Sequence, residues 1–446
     1  MISPIDDATE QVPQCLAFTD GQVQITYAEL SEKIDDFSRN HLASLRQGEH
    51  VAWCPGNDLE DLVTFWALQR CGLVACPVSY RIPSERRTEL LRMLDATWLP
   101  TLERYASGKL AQPIPTPVDK ISASPATIIL SSGSTGDPKA VVHSMAAHIA
   151  SAEGAASNMP LTHTDRWLWS LPMFHVSGLS VVVRCAVAGA AIVAMKSGRK
   201  LSTKTLEEAN VSHLSVVSTQ LRRLLEEPEF PPSDLKWVLL GGSAIDAKIV
   251  RSARKRNARV LTTYGLTEMA SQVSTSTIDG NPYCSGKVLP NCELRIDETG
   301  EILVRGKTLC LGYYFDGQVH SILNAQDWFP TRDLGEVDGS GQLSVHGRID
   351  NMFISGGVNI YPETIERIIK ETFDVEQAVV VSKPDPVYEA RPVVFVSGEL
   401  PPDWQETLRR KMQGFEIPLS AFELPLELEE SIKVSRSHLQ KLVQDG

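Results

Sequence analysis

The chain has 446 residues, a net charge of −12 from 43 lysines and arginines against 55 aspartates and glutamates, and 42% hydrophobic residues. That length exceeds one comfortable core and predicts two or more domains, while the acidic balance excludes a general nucleic-acid or membrane-surface binder. Eight cysteines, none in a CxxC pair, predict buried reduced thiols and not a disulfide or zinc scaffold.

The leading MISPIDDATEQVPQ carries no basic region followed by an apolar core, so no secretion signal is expected. Residues 22–45 move from period 2 to period 3.6. This predicts a short strand and a helix starting near Thr26, where Thr26 and Glu29 have capping-box spacing. Residues 51–53 and 72–78 predict strands, and 58–71 and 81–94 predict helices, the first capped by Asp58. After the apolar run PATIIL, 125–130, comes the polar, glycine-punctuated 131-SSGSTGDPK-139. The rhythm resumes with a predicted helix over 143–155, an extended 167–172, a helix over 177–189 and a strand over 190–195. Strand and helix follow at 213–218 and 219–227, then a strand at 236–243 that ends in glycines. The apolar stretch 168–195 contains His175, Arg184 and a Ser-Gly break, so it reads as interior packing and not as a membrane span. Alternation of this kind predicts α/β layers over a mostly parallel sheet. Residues 300–306 and 341–348 pattern as short antiparallel strands. Residues 362–413 pattern as a small α+β unit, with the boundary at the turn 348-RID-350.

The loop 131–139 lacks the GxxxxGK[ST] order of a Walker loop. Its glycines let backbone N–H groups converge on an anion, its hydroxyls add donors, and Lys139 adds a mobile charge. Taken alone it is either such a cradle or a decorated surface turn.

The loop is followed in order by 171-LPMFH-175, 264-YGLTE-268, 331-TRD-333, 347-GRID-350 and 432-IKVSR-436. This series resembles the acyl-adenylate-forming superfamily of acyl-CoA synthetases, luciferases and peptide-synthetase adenylation domains. The resemblance implies a large N-terminal domain of layered α/β sheets with a small β-barrel-like subdomain, residues 1–349. It also implies a small mobile C-terminal α+β domain, residues 350–446, hinged at Asp350. The implied reaction joins a small carboxylic acid to ATP as an acyl-adenylate, which coenzyme A then cleaves.

By the same resemblance, Ser131, Ser132, Gly133, Ser134, Thr135, Gly136 and Lys139 hold the β- and γ-phosphates. Thr267 bonds the α-phosphate beside Gly265, and Glu268 helps to hold Mg²⁺. A carboxylate next to ATP makes sense only with a divalent ion between them. Asp333 accepts the ribose hydroxyls, since a carboxylate offers acceptors only. Arg348 is a further ribose or phosphate contact. Lys433 reaches the reacting carboxylate, and His175 positions the acid at the acyl pocket. Ser218, Thr219, Gly241, Gly242 and Ser243 line that pocket, and Gly356 and Gly357 let the backbone approach the pantetheine arm.

Three positions depart from the pattern. Arg332 stands where the family often has glycine, Ile432 precedes Lys433 where many members have glycine, and a lysine common before the 356–357 pair is missing. The polar Ser218, Thr219, Gln220, Ser243, Thr262 and Thr263 point to a compact polar or aromatic diacid, with Arg222 or Lys196 as candidates to meet its second charge. Details at 171–180, 217–225, 241–245 and 352–366 resemble the bacterial 2-succinylbenzoate–CoA ligases of menaquinone biosynthesis. Alternatives are another aryl- or short-chain acyl-CoA synthetase, a stand-alone amino-acid adenylating enzyme, or a binding protein that lost the chemistry. A cytoplasmic location, no membrane insertion, no nucleic-acid partner and a homo-oligomer complete the expectations.

Overall fold

The computed structural model describes residues 3–99, 124–131, 138–195, 200–242, 245–425 and 436–444. Locally encoded signals appear where the chain places them. Thr26 caps the helix Tyr27–Phe37 and Asp58 caps Leu59–Arg70, each in a reciprocal capping box that satisfies orphan N–H groups of the first turn. The helix Leu59–Arg70 is buried from Asp61 to Leu68 on all faces, as expected of a helix apolar all round.

A nine-stranded sheet has the parallel centre Arg166–Leu168, His213–Val216, Trp237–Leu240 and Val260–Leu266, and is closed on one side by the antiparallel Ser271–Thr275. A seven-stranded sheet contains His50–Trp53, Val74–Pro77, Pro125–Ser131, Lys139–Ser144 and Gly312–Phe315. Val51, Trp53 and Ile129 of this sheet share one core with Phe18, Trp167 and Leu261 of the other. Side chains of the helices Leu59–Arg70 and Val176–Ala188 join them there. Burying both faces of the central strands is what makes them read as continuous apolar runs.

The segment expected to be helical from residue 143 starts later. The strand Lys139–Ser144 runs back against Pro125–Ser131, and the helix Met145–Ala156 begins after Ser144, whose hydroxyl accepts from the Ala147 amide at 3.2 Å. Ladder bonds to both neighbouring strands hold 139–144 extended, which overrides a local helical pattern.

Cys292–Ile296, Glu301–Gly306, Phe329–Val337 and Leu343–Arg348 form a four-stranded antiparallel sheet. Beyond the short 3-10 turn Ile349–Asn351, a hairpin and a three-stranded sheet pack with helices Pro362–Thr372 and Arg436–Gln444 around cores of their own. This smaller α+β part touches the larger one where the Lys248 ammonium donates to the Phe373 carbonyl at 3.0 Å. All eight cysteines are free, and five of them are buried. Among the described residues no helix is long and apolar enough to cross a membrane.

Burial leaves an acid-sensitive signature. His143 and His213 are pushed down to about 4, and His50 and His148 are lowered too, by desolvation in each case. The unfolded chain binds protons near pH 6.5 that these folded imidazoles refuse, so their stability is full above that pH and is lost on acidification. Asp61, raised to about 7 mainly by burial, runs in the opposite direction, but one carboxyl faces four imidazoles. The urea midpoint is expected to fall between pH 7 and pH 5, with a single buried imidazole worth on the order of 3 kcal/mol across its whole window. A midpoint flat over that range would contradict this.

Candidate active site

Ser131 and Lys139 face each other across the base of a hairpin, so the two ends of the glycine loop are fixed by sheet bonding. Ser132, Gly133, Ser134, Thr135 and Gly136 lie outside the described residues. The Lys139 ammonium sits 5.1 Å from the centre of the Tyr313 ring, and the Tyr313 hydroxyl donates to Glu268 Oε1 at 2.7 Å. Burial, then the Glu268 charge, pushes the Tyr313 hydroxyl well above its ordinary value and keeps it a donor. One cation and one carboxylate thus flank the same tyrosine.

Thr267 and Glu268 form a 3-10 turn at the end of the strand Val260–Leu266. The turn is anchored from both sides. His143 Nε2 donates to the Thr267 carbonyl at 2.7 Å, and the Cys310 amide donates to the Glu268 carbonyl at 2.7 Å. At Gly265 a Cβ would meet the Ser271 carbonyl oxygen at 2.0 Å, so only glycine lets the two strands close here.

Asp333 is buried and doubly held: Tyr264 donates its hydroxyl at 2.7 Å and Arg348 donates Nη1 at 3.0 Å. Asp333 and Arg348 pair directly across neighbouring strands. Arg348 also donates to Asp350 at 3.1 Å, and Arg332 donates to the same carboxylate at 2.9 Å. Burial raises Asp350, but the two guanidiniums outweigh it and hold the carboxyl below its ordinary value. Arg332 has φ 65°, the left-handed conformation that glycine adopts freely, which is why glycine suits this position. The charge-assisted bonds to Asp350 offset the strain of an arginine there, a cost of about 1 kcal/mol or more.

His175 immediately precedes the helix Val176–Ala188, is exposed, and lies 4.7 Å ring to ring from Phe174, which meets Tyr80 at 5.8 Å. Ser218 and Thr219 open the helix Ser218–Glu226, half-buried. Gly241 follows the strand Trp237–Leu240, and a Cβ there would meet Thr263 Cγ2 at 2.6 Å. Gly242 is exposed with φ 81°. Gly356 and Gly357 turn the hairpin Phe353–Ser355 to Val358–Ile360, both with positive φ, and the Gly356 amide donates to Glu389 at 2.8 Å. Ser243, Lys196 and Lys433 lie outside the described residues.

Several polar side chains expected along the pocket are engaged in structure. Thr262 is buried with its hydroxyl on the Cys284 carbonyl at 2.7 Å, and Gln220 accepts from the Val217 amide at 3.1 Å. Arg222 is bonded to Asp246 at 3.0 Å and lies 3.7 Å from Glu376, so it is already neutralised.

A guanidinium without a counter-charge among the described residues is elsewhere. Arg184, in the helix that follows His175, is buried with 4% of its surface exposed and has no carboxylate in salt-bridge reach among the described residues. Its Nη2 donates to Ser271 at 3.3 Å, its guanidinium lies 5.4 Å from the Trp167 ring centre, and its Nε has no partner. Burial lowers it to about 10, still charged at neutral pH. Sequence reasoning noted Arg184 only as a break in an apolar run. A lone arginine in SGLSVVVRCAVAG was the available signal, since such a charge is almost never buried unpaired.

Among the described residues no three His, Cys, Asp or Glu side chains form a metal cage. A lone carboxylate such as Glu268 fits Mg²⁺, which binds through one or two carboxylates plus substrate phosphates.

The family model of AMP-binding enzymes matches residues 93–314. The 2-succinylbenzoate–CoA ligases of Salmonella typhimurium and Escherichia coli are 37% and 35% identical to this chain, each alignment covering 94% of it and 93% and 94% of the respective relative. The solved structure of wild-type E. coli MenE with a phenylether-linked analogue of OSB-AMS is 32% identical and superposes with a TM-score of 0.82 over the full length of both chains. The Bacillus subtilis o-succinylbenzoate CoA synthetase in complex with the acyl-adenylate OSB-AMP superposes with a TM-score of 0.85 at 25% identity, covering 99% of this chain and 98% of that one.

Proposed function

We propose that this chain, which belongs to the AMP-binding enzyme family, ligates 2-succinylbenzoate to coenzyme A and so serves menaquinone synthesis. Its general reaction is that of the AMP-forming acyl-CoA ligases. A carboxylate oxygen bonds to the α-phosphorus of ATP as the bond to pyrophosphate breaks. The thiol sulfur then bonds to the acyl carbon as the bond to AMP breaks. No base is required for the first step, because the acid is ionised at pH 7.

The observation that carries the substrate is Arg184. A buried guanidinium with an unpartnered Nε beside Ser271, the residue paired with Leu266 of the YGLTE strand, awaits an anion. A monocarboxylic acid spends its only charge at the α-phosphate. A second carboxylate on the same small acid supplies the partner, and an aromatic keto diacid of compact shape meets both needs.

In this reading Lys139 and the glycine loop carry the outer phosphates. Asp333, oriented by Tyr264 and Arg348, accepts from the ribose hydroxyls. Thr267 and Glu268 are presented by a turn fixed through His143 and Cys310. Glu268 would hold Mg²⁺, which would supply neutralisation of phosphate charge there. Lys433 offsets charge at the forming bond, and the part beyond Asp350 swings between the half-reactions, with Gly356 and Gly357 meeting the pantetheine arm.

AMP release with Mg·ATP and CoA across 2-succinylbenzoate, benzoate, 4-coumarate, acetate, octanoate and amino acids tests the reading. Turnover is expected to be strongest with 2-succinylbenzoate, by two orders of magnitude or so over benzoate. Equal or better turnover of a monocarboxylic acid would remove the substrate assignment.

A further inference from the structure

Arg184 belongs to the helix Val176–Ala188 and His175 stands immediately before it, so the position of both depends on the irregular segment 169–175 that leads into the helix. That segment leaves the strand Arg166–Leu168 without a ladder of its own, so its backbone polar groups need partners from elsewhere. The Trp169 amide donates to the Val193 carbonyl and the His175 amide to the Pro172 carbonyl, and three of the other groups meet in one side chain. Asn57 donates Nδ2 to the Leu171 carbonyl at 2.6 Å and to the Trp169 carbonyl at 3.3 Å, and its Oδ1 accepts from the Met173 amide at 2.9 Å.

The reach of this contact is unusual. Asn57 lies between the strand His50–Trp53 of the seven-stranded sheet and the helix Leu59–Arg70, whereas the segment it holds leaves a strand of the nine-stranded sheet. One amide therefore stitches the two sheets together at the entrance to the helix that follows His175 and carries Arg184.

The anchor is itself rigid. The buried Asp61 carboxylate accepts from the Gly56 amide at 2.7 Å, the Asp58 amide at 3.1 Å and the Trp53 indole at 3.2 Å, which fixes the loop on both sides of Asn57. Asn57 has φ 64°, a left-handed conformation that asparagine tolerates and most side chains do not. Downstream, the His175 amide donates to the Pro172 carbonyl at 3.1 Å and the Trp169 indole to the Gly178 carbonyl at 3.1 Å. A Cβ on Gly178 would meet the Pro172 carbonyl oxygen at 2.1 Å, so the first helical turn rests directly on the segment that Asn57 grips.

We propose that Asn57 is a positioning residue for the acid: it sets the 169–175 segment, and through it the placement of His175 and Arg184, without touching ATP. This rests on the reading of that helix as a wall of the acyl pocket. The nucleotide groups, Asp333, Arg348, Thr267 and Glu268, stand on other elements and have no bond to Asn57 among the described residues.

Asn57→Asp tests it. The aspartate keeps shape, left-handed tolerance and one acceptor, but loses both donors and sets a carboxylate against two carbonyls. Steady-state constants are measured with whichever acid the unaltered protein turns over fastest, so the result stands whether or not that acid is 2-succinylbenzoate. KM for the acid is expected to rise 10- to 100-fold, with KM for ATP and the affinity for AMP within twofold. In a double-mutant cycle with His175→Ala the two losses should be less than additive, because both act through one segment. Hydrogen exchange at the Met173 amide should speed up at the same time. Should Asn57→Asp leave the acid KM unchanged, the proposal falls. It falls equally if the KM for ATP rises and the affinity for AMP drops as much as the KM for the acid rises. Asn57→Gly guards against misfolding, since it keeps the backbone conformation at no strain and should reproduce the same selective loss.

Discussion

Replacing Arg184 by methionine is expected to lower kcat/KM for 2-succinylbenzoate by about 10²- to 10³-fold while raising the melting temperature of the free protein. Losing one partner of a buried charge pair costs roughly 2–5 kcal/mol, because the remaining charge stays desolvated and unmet. In the complex the stranded charge would be the acid's second carboxylate. In the free protein the situation is inverted: the guanidinium is buried without a carboxylate, its Nε unpartnered, and an unbranched apolar side chain removes that penalty. Activity and stability should therefore move in opposite directions. Pyrophosphate exchange reads the first half-reaction, and thermal unfolding reads the second quantity. Turnover of benzoate, with no second charge to strand, should change much less. If melting temperature and turnover of every acid fall together, Arg184 is a strut between its helix and Ser271, and the diacid argument loses its carrier.

Asp333→Asn is expected to weaken ATP use by about two orders of magnitude in kcat/KM, and to weaken AMP binding in parallel. The substitution preserves volume, so the effect lies in hydrogen-bond polarity. The carboxylate accepts from Tyr264 and Arg348 and, offering acceptors only, suits ribose hydroxyls, which donate. An amide has one acceptor oxygen, and its NH₂ must face either a guanidinium or a hydroxyl that needs an acceptor. Each charge-assisted bond lost is worth about 1.5–3 kcal/mol. Calorimetry with AMP separates this from a catalytic effect. The acid's KM should stay within a few-fold, since Asp333 stands on the strand Phe329–Val337 and Arg184 on the helix Val176–Ala188. An unchanged affinity for AMP would remove Asp333 from the ribose site.

Much of this was legible because it is local. Thr26 with Glu29 and Asp58 with Asp61 are capping boxes whose partners lie three residues apart, within reach of the helix period. The order of the glycine loop, YGLTE, TRD and GRID could be read without a fold, because each motif's chemistry resides in a few consecutive residues. Arg332 could be marked as a departure, but not explained. Its φ of 65° and its bonds to Asp350 appear only once two strands and a turn have met. His143 and Ser144 were expected to open a helix and instead end a strand, since their ladder partners Thr127 and Pro125 override a local pattern.

The sequence by itself determined the family, the general reaction and the layered α/β architecture. Tertiary structure alone decided which polar side chains are spent and which are unspent. Thr262, Gln220 and Arg222 looked available to a substrate and are consumed by a carbonyl, an amide and a carboxylate. Arg184 looked like an interruption and is a buried charge with no counter-charge among the described residues, and Asn57, which carried no signal in the sequence, joins two sheets. The physical reason is that a polar group's worth depends on burial and on its partner, and both are properties of residues brought together from distant parts of the chain.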